Sequence, residues 1–331
     1  MPLATNHPLL TDNPSLAIFT ELLSVPSPSS YEQQVAAIVR RRLDDLGLAH
    51  ESDGTGNITV HLPGKEPERP LLCLASHMDE IGFVVTKIES DGTLRVMRSG
   101  GLYPWKHGEG PVEILGDQGS ITGMLSMGST HTATGSKALE WSDVRVLTGL
   151  TPAALAEQGI RPGSPGVPVR EVVGPFIFGD NADPLVGAWT FDDRMGVAML
   201  LRILTILKEQ GLQPRRPTLI AFTVCEEVGG LGAKVVAARE QPETFIAVDG
   251  SPIPPEAPLA IDGRPGIWSK DRLAPYDVQL LRDLSAAAER VGTELQPVAY
   301  DSAASDASLV FAGVDAAHRL RGPCARKQPR L

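Results

Sequence analysis

The chain has 331 residues, of which 42% are hydrophobic and 21% are charged. A chain of this length can bury the cores of roughly two domains. Its formal net charge of −10 argues against nucleic acid as the main partner. The longest apolar stretch, residues 197–207, is interrupted by Arg202 and is too short to span a bilayer. Three cysteines without paired spacing are typical of a reducing compartment. We therefore predict a globular, cytoplasmic protein that binds neither nucleic acid nor membranes.

The first part of the chain predicts helices followed by strands. Apolar residues at helical spacing over residues 35–46, closed by Gly47, indicate a helix. Ser30 and Gln33 have the spacing of a capping box at its start. Strands are predicted at residues 57–62 and 70–75, and the second strand leads directly into the segment SHMDEIGF.

The sequence pattern changes near Val84. From there to Asp183 short β-branched runs alternate with glycine and proline, and only residues 151–158 have a helical pattern. We predict a small β-rich domain at residues 84–183, inserted into a discontinuous domain formed by residues 1–83 and 184–331.

The last part of the chain alternates helices and strands. A long apolar helix begins near Asp192 and ends at Gly211, and strands follow at residues 219–224 and 243–248. After a loop rich in proline and glycine come a helix near residues 276–291 and a strand near 296–300. This alternation predicts an α/β fold with a mostly parallel sheet and helices on both faces.

Side chains of the kind that bind metals follow the predicted strands. They are His77 and Asp79 after the strand at 70–75, Glu226 and Glu227 after the strand at 219–224, Asp249 after the strand at 243–248, and Asp192 at the start of the long helix. Each alone has an ordinary explanation as a loop histidine, a helix cap or a turn residue. Because the carboxyl ends of parallel strands meet at one edge of the sheet, we expect these side chains to lie close together.

The residue types favour a particular metal chemistry. Imidazole and carboxylates without a thiolate suit hydrolytic zinc, cobalt or manganese. A shared carboxylate with separate ligands describes a two-metal site, with ions about 3.5–4 Å apart. Adjacent glutamates repel each other and lose hydration beside a buried strand, a cost that a divalent cation offsets. We expect one of them to bind a metal and the other to handle the proton of the attacking water.

Four segments, SHMDEIGF, WTFDDRMG, CEEVGGLGA and AVDGSP, occur in this order around the predicted insertion. With them the chain resembles the tetrahedral-aminopeptidase family of cytosolic dinuclear metallopeptidases, which includes glutamyl and deblocking aminopeptidases. The resemblance extends to about Phe311. It implies removal of N-terminal residues from short peptides. It also implies a homo-oligomer in which the inserted domain joins dimers into twelve-subunit tetrahedra.

The resemblance also implies roles for individual residues. It implies that His77 and Asp249 bind one metal ion, that Asp192 bridges two ions and that Glu227 binds the other. The two ions would be divalent, with zinc as the first expectation and cobalt or manganese as alternatives.

Two further roles follow from the same resemblance. It implies that Glu226 is the general base of the reaction. It implies that Asp79 orients the imidazole of His77.

The chain departs from the family near its C-terminus. The family's last ligand is a histidine in a segment that resembles SHGYE, whereas this chain continues after SDASLVFAG as VDAAHRLRGPCARKQPRL. His318 is the only histidine there, in the context AAHRL. Suitable codons shifted by one base permit Ile-x-Tyr-Val-Gly-His-Ala-Arg followed by Glu-Asn-Ser-His-Gly. We infer a +1 frameshift near Gly313, either real or introduced in sequencing.

Two other functions remain open at this point. An N-acyl amino acid deacylase could use the same arrangement of site residues on a substrate with a blocked amine. A catalytically impaired assembly or peptide-binding subunit would agree with the missing histidine. The preferred N-terminal residue of the substrate is not predicted, because the loops around the site carry no recognisable motif.

Overall fold

The computed structural model describes residues 7–129, 131, 138–180, 182–255 and 259–313. Its helices are α1 (Pro8–Asp12), α2 (Pro14–Leu23), α3 (Gln33–Asp45), α4 (Pro104–His107), α5 (Pro152–Glu157), α6 (Phe191–Glu209), α7 (Leu231–Glu240), α8 (Val278–Arg290) and α9 (Asp306–Gly313). Its strands are β1 (Glu51–Ser52), β2 (Ile58–Leu62), β3 (Leu72–His77), β4 (Gly82–Ile88), β5 (Leu94–Ser99), β6 (Gly110–Leu115), β7 (Ser120–Ser126), β8 (Arg145–Leu147), β9 (Pro165–Pro168), β10 (Phe176–Asp180), β11 (Asp183–Gly187), β12 (Thr218–Thr223), β13 (Thr244–Ala247), β14 (Gly266–Lys270) and β15 (Gln296–Ala299).

The chain divides into two compact units. One comprises Met1–Val35 and Asp79–Phe191, and the other comprises Ala36–Met78 and Asp192–Leu331. The first helices therefore group with the β-rich part, whereas the sequence placed them with the α/β part. After α2 the Ser27 N–H donates to the buried Glu80 carboxylate at 2.8 Å, a contact that joins the two segments of this unit.

The first unit contains a closed antiparallel barrel with strand order β4-β5-β8-β7-β6-β9. Alternate side chains point inward along each strand, and these apolar residues form one core. Its members include Phe83, Val85, Leu94, Val96, Val112, Ile114, Leu125 and Val146. Strands β10 and β11 form a separate hairpin. The β-rich texture that the sequence predicted near residues 84–183 thus corresponds to a barrel followed by a hairpin.

The second unit contains a five-stranded sheet with the order β1-β2-β12-β3-β13. Strand β3 runs parallel to both β12 and β13, which confirms the α/β class. The prediction of a mostly parallel sheet is confirmed with one exception: among the described strands of this sheet β1, β12, β3 and β13 run in one direction, and only β2 runs against them, antiparallel to both β1 and β12. The chain reverses between β1 and β2 in a turn where Asp53 Oδ1 accepts from the Gly56 N–H at 3.0 Å.

Both faces of this sheet are buried. On one face Cys73, Ala75, Leu219 and Ala221 form a core with residues of α7 and α9. On the other face Ile220 and Phe222 are 1% and 0% exposed. Burial on both faces explains why β12 has the almost continuous apolar sequence LIAF.

The predicted capping box at Ser30 and Gln33 is wrong. Helix α3 begins at Gln33 itself, and Ser30 has a φ of +72°, whereas an N-cap residue needs extended backbone. The side chain of Glu32 accepts from the Ser30 N–H at 2.9 Å.

The sequence predicted neither a membrane-spanning segment nor a disulfide, and the described residues bear on both predictions. No described helix combines the length and the apolar composition that crossing a bilayer requires. Cys73 and Cys225 are both buried and neither forms a disulfide among the described residues.

Candidate metal centre

Three parallel strands of the second unit bring the candidate residues to one edge of the sheet. His77 is the last residue of β3 and pairs in register with Thr223, the last residue of β12. Asp249 follows the end of β13 by two residues. The carboxyl ends of these strands therefore meet at one edge, as the sequence predicted.

Asp192 and Asp193 have different tasks although they are adjacent. Asp193 is buried, and its Oδ2 accepts from the Ser76 hydroxyl at 2.5 Å and from the His77 N–H at 3.1 Å. Its Oδ1 accepts from the Gly196 N–H at 3.2 Å, so Asp193 caps the regular part of α6. Asp192 instead places its Oδ1 2.9 Å from His77 Nε2. The helix-cap explanation thus applies to Asp193, and Asp192 belongs to the site.

His77, Asp192 and Asp249 form a compact cluster. Each offers one ligand atom, and these atoms lie within 4.8 Å of one another. A metal–ligand bond to nitrogen or a carboxylate oxygen is about 2 Å long, so ligands of one ion lie a few ångströms apart. One imidazole and two carboxylates are a donor set that suits zinc, cobalt or manganese.

Glu226 and Glu227 lie outside that cluster, in the turn that follows β12, and both are partly buried. Burial, reinforced by the carboxylates of Asp306, Asp249 and Glu227, raises the pKa of Glu226 to about 10 against the opposing effect of His77. Burial, the largest cause, and the negative charge of Asp192 raise the pKa of Asp249 to about 8. The site thus contains more carboxylates than its one imidazole can neutralise. A divalent cation would offset the repulsion among them.

Asp79 is fully buried. The Ser29 hydroxyl donates to Asp79 Oδ2 at 2.7 Å. The orienting role towards His77 stays a prediction.

Asp306 is a buried acid that the sequence reasoning did not single out. It begins α9 and its Oδ2 accepts from the Thr223 hydroxyl at 2.7 Å. The only sequence signal was an aspartate at the start of a helical segment, SDASLVFAG. That pattern is usually explained by helix capping, so it does not predict a site residue.

A cavity of about 440 Å³ lies beside β13 and reaches Asp249. Five consecutive residues, 245–249, border it on one side. Leu280, Leu281 and Leu284 of α8 border it on another side, with Trp268 of β14. Because consecutive residues of a strand point to opposite faces, a space that touches all five lies in the plane of the sheet.

The M42 glutamyl aminopeptidase family matches residues 56–327 of this chain. The chain therefore belongs to that family, which confirms the resemblance found in the sequence.

Individual relatives agree with this assignment. The chain is 31% identical to the glutamyl aminopeptidase of Lactococcus lactis over 249 residues, which cover 70% of this chain and 65% of that protein. The aligned region thus spans less than two thirds of that relative.

Solved structures have the same fold. The TET1 peptidase of Pyrococcus horikoshii, which can assemble into a tetrahedron or a large octahedral shell, matches with a TM-score of 0.73 and 25% identity over 89% of this chain and 87% of that one. An aminopeptidase from the archaeon Desulfurococcus kamchatkensis matches with a TM-score of 0.78 and 24% identity, over 94% of this chain and 85% of that one.

Proposed function

We propose that the protein is a metal-dependent aminopeptidase that removes N-terminal residues from short peptides. The observation that carries this proposal is the cluster of His77, Asp192 and Asp249 at the carboxyl edge of the sheet, with Glu226 and Glu227 in the adjoining turn. Membership in the M42 glutamyl aminopeptidase family supports the same activity.

We further propose that the site holds two divalent ions. His77 and Asp249 would bind one ion, Asp192 would bridge both, and Glu227 would bind the other. Zinc is the first expectation, with cobalt and manganese as alternatives, because the donors are imidazole and carboxylates. When bound, such ions polarise the scissile carbonyl and make water a stronger nucleophile.

The protein's own residues transfer the proton and orient the metal ligands. Glu226 accepts a proton from the attacking water and delivers it to the departing amine, as a general base that becomes the acid. Asp79 orients the imidazole of His77. Asp193 fixes the backbone of His77 by accepting a hydrogen bond from the His77 N–H.

Chelation tests the function directly. After treatment with a chelator the protein should not hydrolyse aminoacyl p-nitroanilides, and adding zinc, cobalt or manganese should restore hydrolysis. The melting temperature should rise with the added metal, because an ion held at 100 times its dissociation constant stabilises the native state by about 2.7 kcal/mol.

The same assay separates the proposal from its alternatives when each substrate is also offered with an acetylated amine. An aminopeptidase should cleave only the free-amine form. Release of acetate from the acetylated form, with the anilide bond left intact, would identify a deacylase. Metal binding without hydrolysis of either form would identify a catalytically silent subunit.

The C-terminal residues 314–331, including His318, lie outside the described residues. We propose that the reading frame shifts near Gly313 and that the +1 frame supplies both a histidine ligand and a strand. The cavity beside β13 supports the strand, since β13 is the outermost strand of the sheet among the described residues and the space lies in the plane of that sheet. In the +1 frame the segment Ile-x-Tyr-Val-Gly-His contains the β-branched and aromatic residues that strands favour.

We propose that the protein assembles into a homo-oligomer through its β-rich part, as dimers that build a twelve-subunit particle. The assembly described for the TET1 peptidase supports this proposal. Multi-angle light scattering at micromolar concentration should give a mass well above the 35.2 kDa of one chain. A monomer at that concentration would contradict it. A cytoplasmic location stays a prediction.

A further inference from the structure

We propose that Asp306 is a positioning residue that acts through Thr223. Its carboxylate fixes the point where β12 ends, and so sets the position of the turn that presents Glu226 and Glu227. The inference rests on the proposed function for the roles of those two glutamates.

The contact between the two side chains is short and protected from water. Asp306 is 2% exposed and Thr223 is 0% exposed. The Thr223 hydroxyl lies 2.7 Å from Asp306 Oδ2 and 3.3 Å from the Ser76 carbonyl. A hydroxyl has one proton to donate, and the shorter contact to a carboxylate is the stronger hydrogen bond.

Thr223 is the last residue of β12, directly before the turn that contains Glu226 and Glu227. It pairs in register with His77, and its carbonyl accepts from the Met78 N–H at 2.8 Å. Glu226 follows only three residues later. A displacement of Thr223 would therefore move the start of the glutamate turn relative to His77.

Asp306 also lies close to the far end of that turn. A Cβ atom placed on Gly230 would lie 3.2 Å from Asp306 Oδ1 and 2.8 Å from Leu309 Cδ1. Gly230 has a φ of +67°, a conformation that favours glycine. The first turn of α9 thus bonds to Thr223, just before residues 224–229, and lies close to Gly230, just after them.

Four single variants test the inference, and a fifth variant is a matched control. Thr223→Val removes the hydroxyl at nearly constant shape, and Thr223→Ser keeps it. Asp306→Ala removes the acceptor, and Asp306→Asn keeps an acceptor oxygen without the charge. Thr218→Val is the control, because Thr218 is buried at the other end of β12 and its hydroxyl donates to the nearby Arg216 carbonyl at 3.0 Å.

Two readouts are measured on the full chain: Zn²⁺ affinity by competition with a chelating dye, and kcat and KM on an aminoacyl p-nitroanilide. Thr223→Val and Asp306→Ala should each weaken Zn²⁺ binding or lower kcat by roughly 10–100-fold, the usual effect of losing a residue that orients a ligand. KM should change little. The serine and asparagine variants should stay within a few-fold of the wild type. A double variant that combines Thr223→Val with Asp306→Ala should be no worse than the poorer of the two single variants, because both remove the same bond.

Three outcomes would overturn the inference. In the first, Thr223→Val and Thr218→Val lower the melting temperature equally and leave both readouts unchanged, so the bond is only structural. In the second, Asp306→Asn fails as completely as Asp306→Ala, so the charge matters and not the bond. In the third, the two single effects add. If the wild type hydrolyses no substrate, the proposed function fails, while the Zn²⁺ titration still decides the role of Asp306.

Discussion

Replacing Glu226 by glutamine is expected to lower kcat by roughly 10²–10⁴-fold, the usual contribution of a general base. Glutamine has nearly the shape of glutamate but cannot accept the proton of the attacking water. The fold should be retained, because the side chain lies in a turn at the edge of the sheet rather than in its core. Metal content should also be retained, because Glu226 is not a proposed ligand.

The neighbouring glutamate provides the matched control. Glu227→Gln makes the same chemical change one residue away, but it should lower the metal content, since Glu227 is the proposed ligand of the second ion. Metal analysis, kcat and the melting temperature are compared for both variants. Loss of metal from Glu226→Gln, with full metal content in Glu227→Gln, would show that the two roles are reversed.

Restoring the +1 reading frame from about Gly313 is expected to recover a second bound metal ion and full activity together. With the proposed roles, the described residues offer one ion three ligands, namely Asp192, His77 and Asp249, but offer the other ion only Asp192 and Glu227. Three protein ligands with an open position are usual for catalytic zinc, and two make a poor site. The 331-residue chain should therefore bind one ion tightly and the second weakly, and hydrolyse peptides slowly.

The restored chain should also protect the edge of the sheet. If the new segment pairs with β13, the amides of Thr244–Ala247 should exchange more slowly with solvent, because they would lie inside the sheet. The control is a restored chain in which the histidine of the Ser-His-Gly segment is replaced by alanine. It should keep the slow exchange and lose the second ion. Two tightly bound ions and full activity in the 331-residue chain would contradict the frameshift, and His318 would then be the first residue to test.

Much of the site could be predicted from the sequence because its signals are local. A buried apolar run that ends in His77, and another that ends before Glu226 and Glu227, identify strand ends without any knowledge of strand order. The rule that ligands bind at the carboxyl ends of parallel strands then brings these residues together. The structure agrees for His77, Asp192 and Asp249, whose ligand atoms lie within 4.8 Å of one another.

Other features depended on contacts between distant parts of the chain. The direction of β2 follows from its pairing with β12, about 160 residues away along the chain. The sequence shows two adjacent acids at Asp192 and Asp193. Only the hydrogen bond from the Gly196 N–H to Asp193 Oδ1 shows which one caps α6. The register of a strand and the direction of a side chain depend on how the sheet packs. The spacing of apolar residues along the sequence, every two residues in a strand or 3.6 in a helix, therefore cannot predict them.

The sequence by itself indicated the family, the α/β class and the candidate metal-binding residues, because strand ends and the order of the motifs can be read along the chain. Only the tertiary structure decided that the sheet is mixed, that the first helices group with the barrel, and that Asp306 belongs beside the site. Asp306 follows Thr223 by 83 residues, and its 2.7 Å bond exists only because α9 packs onto the sheet. Such contacts depend on packing free energy summed over the whole core, which no local pattern contains.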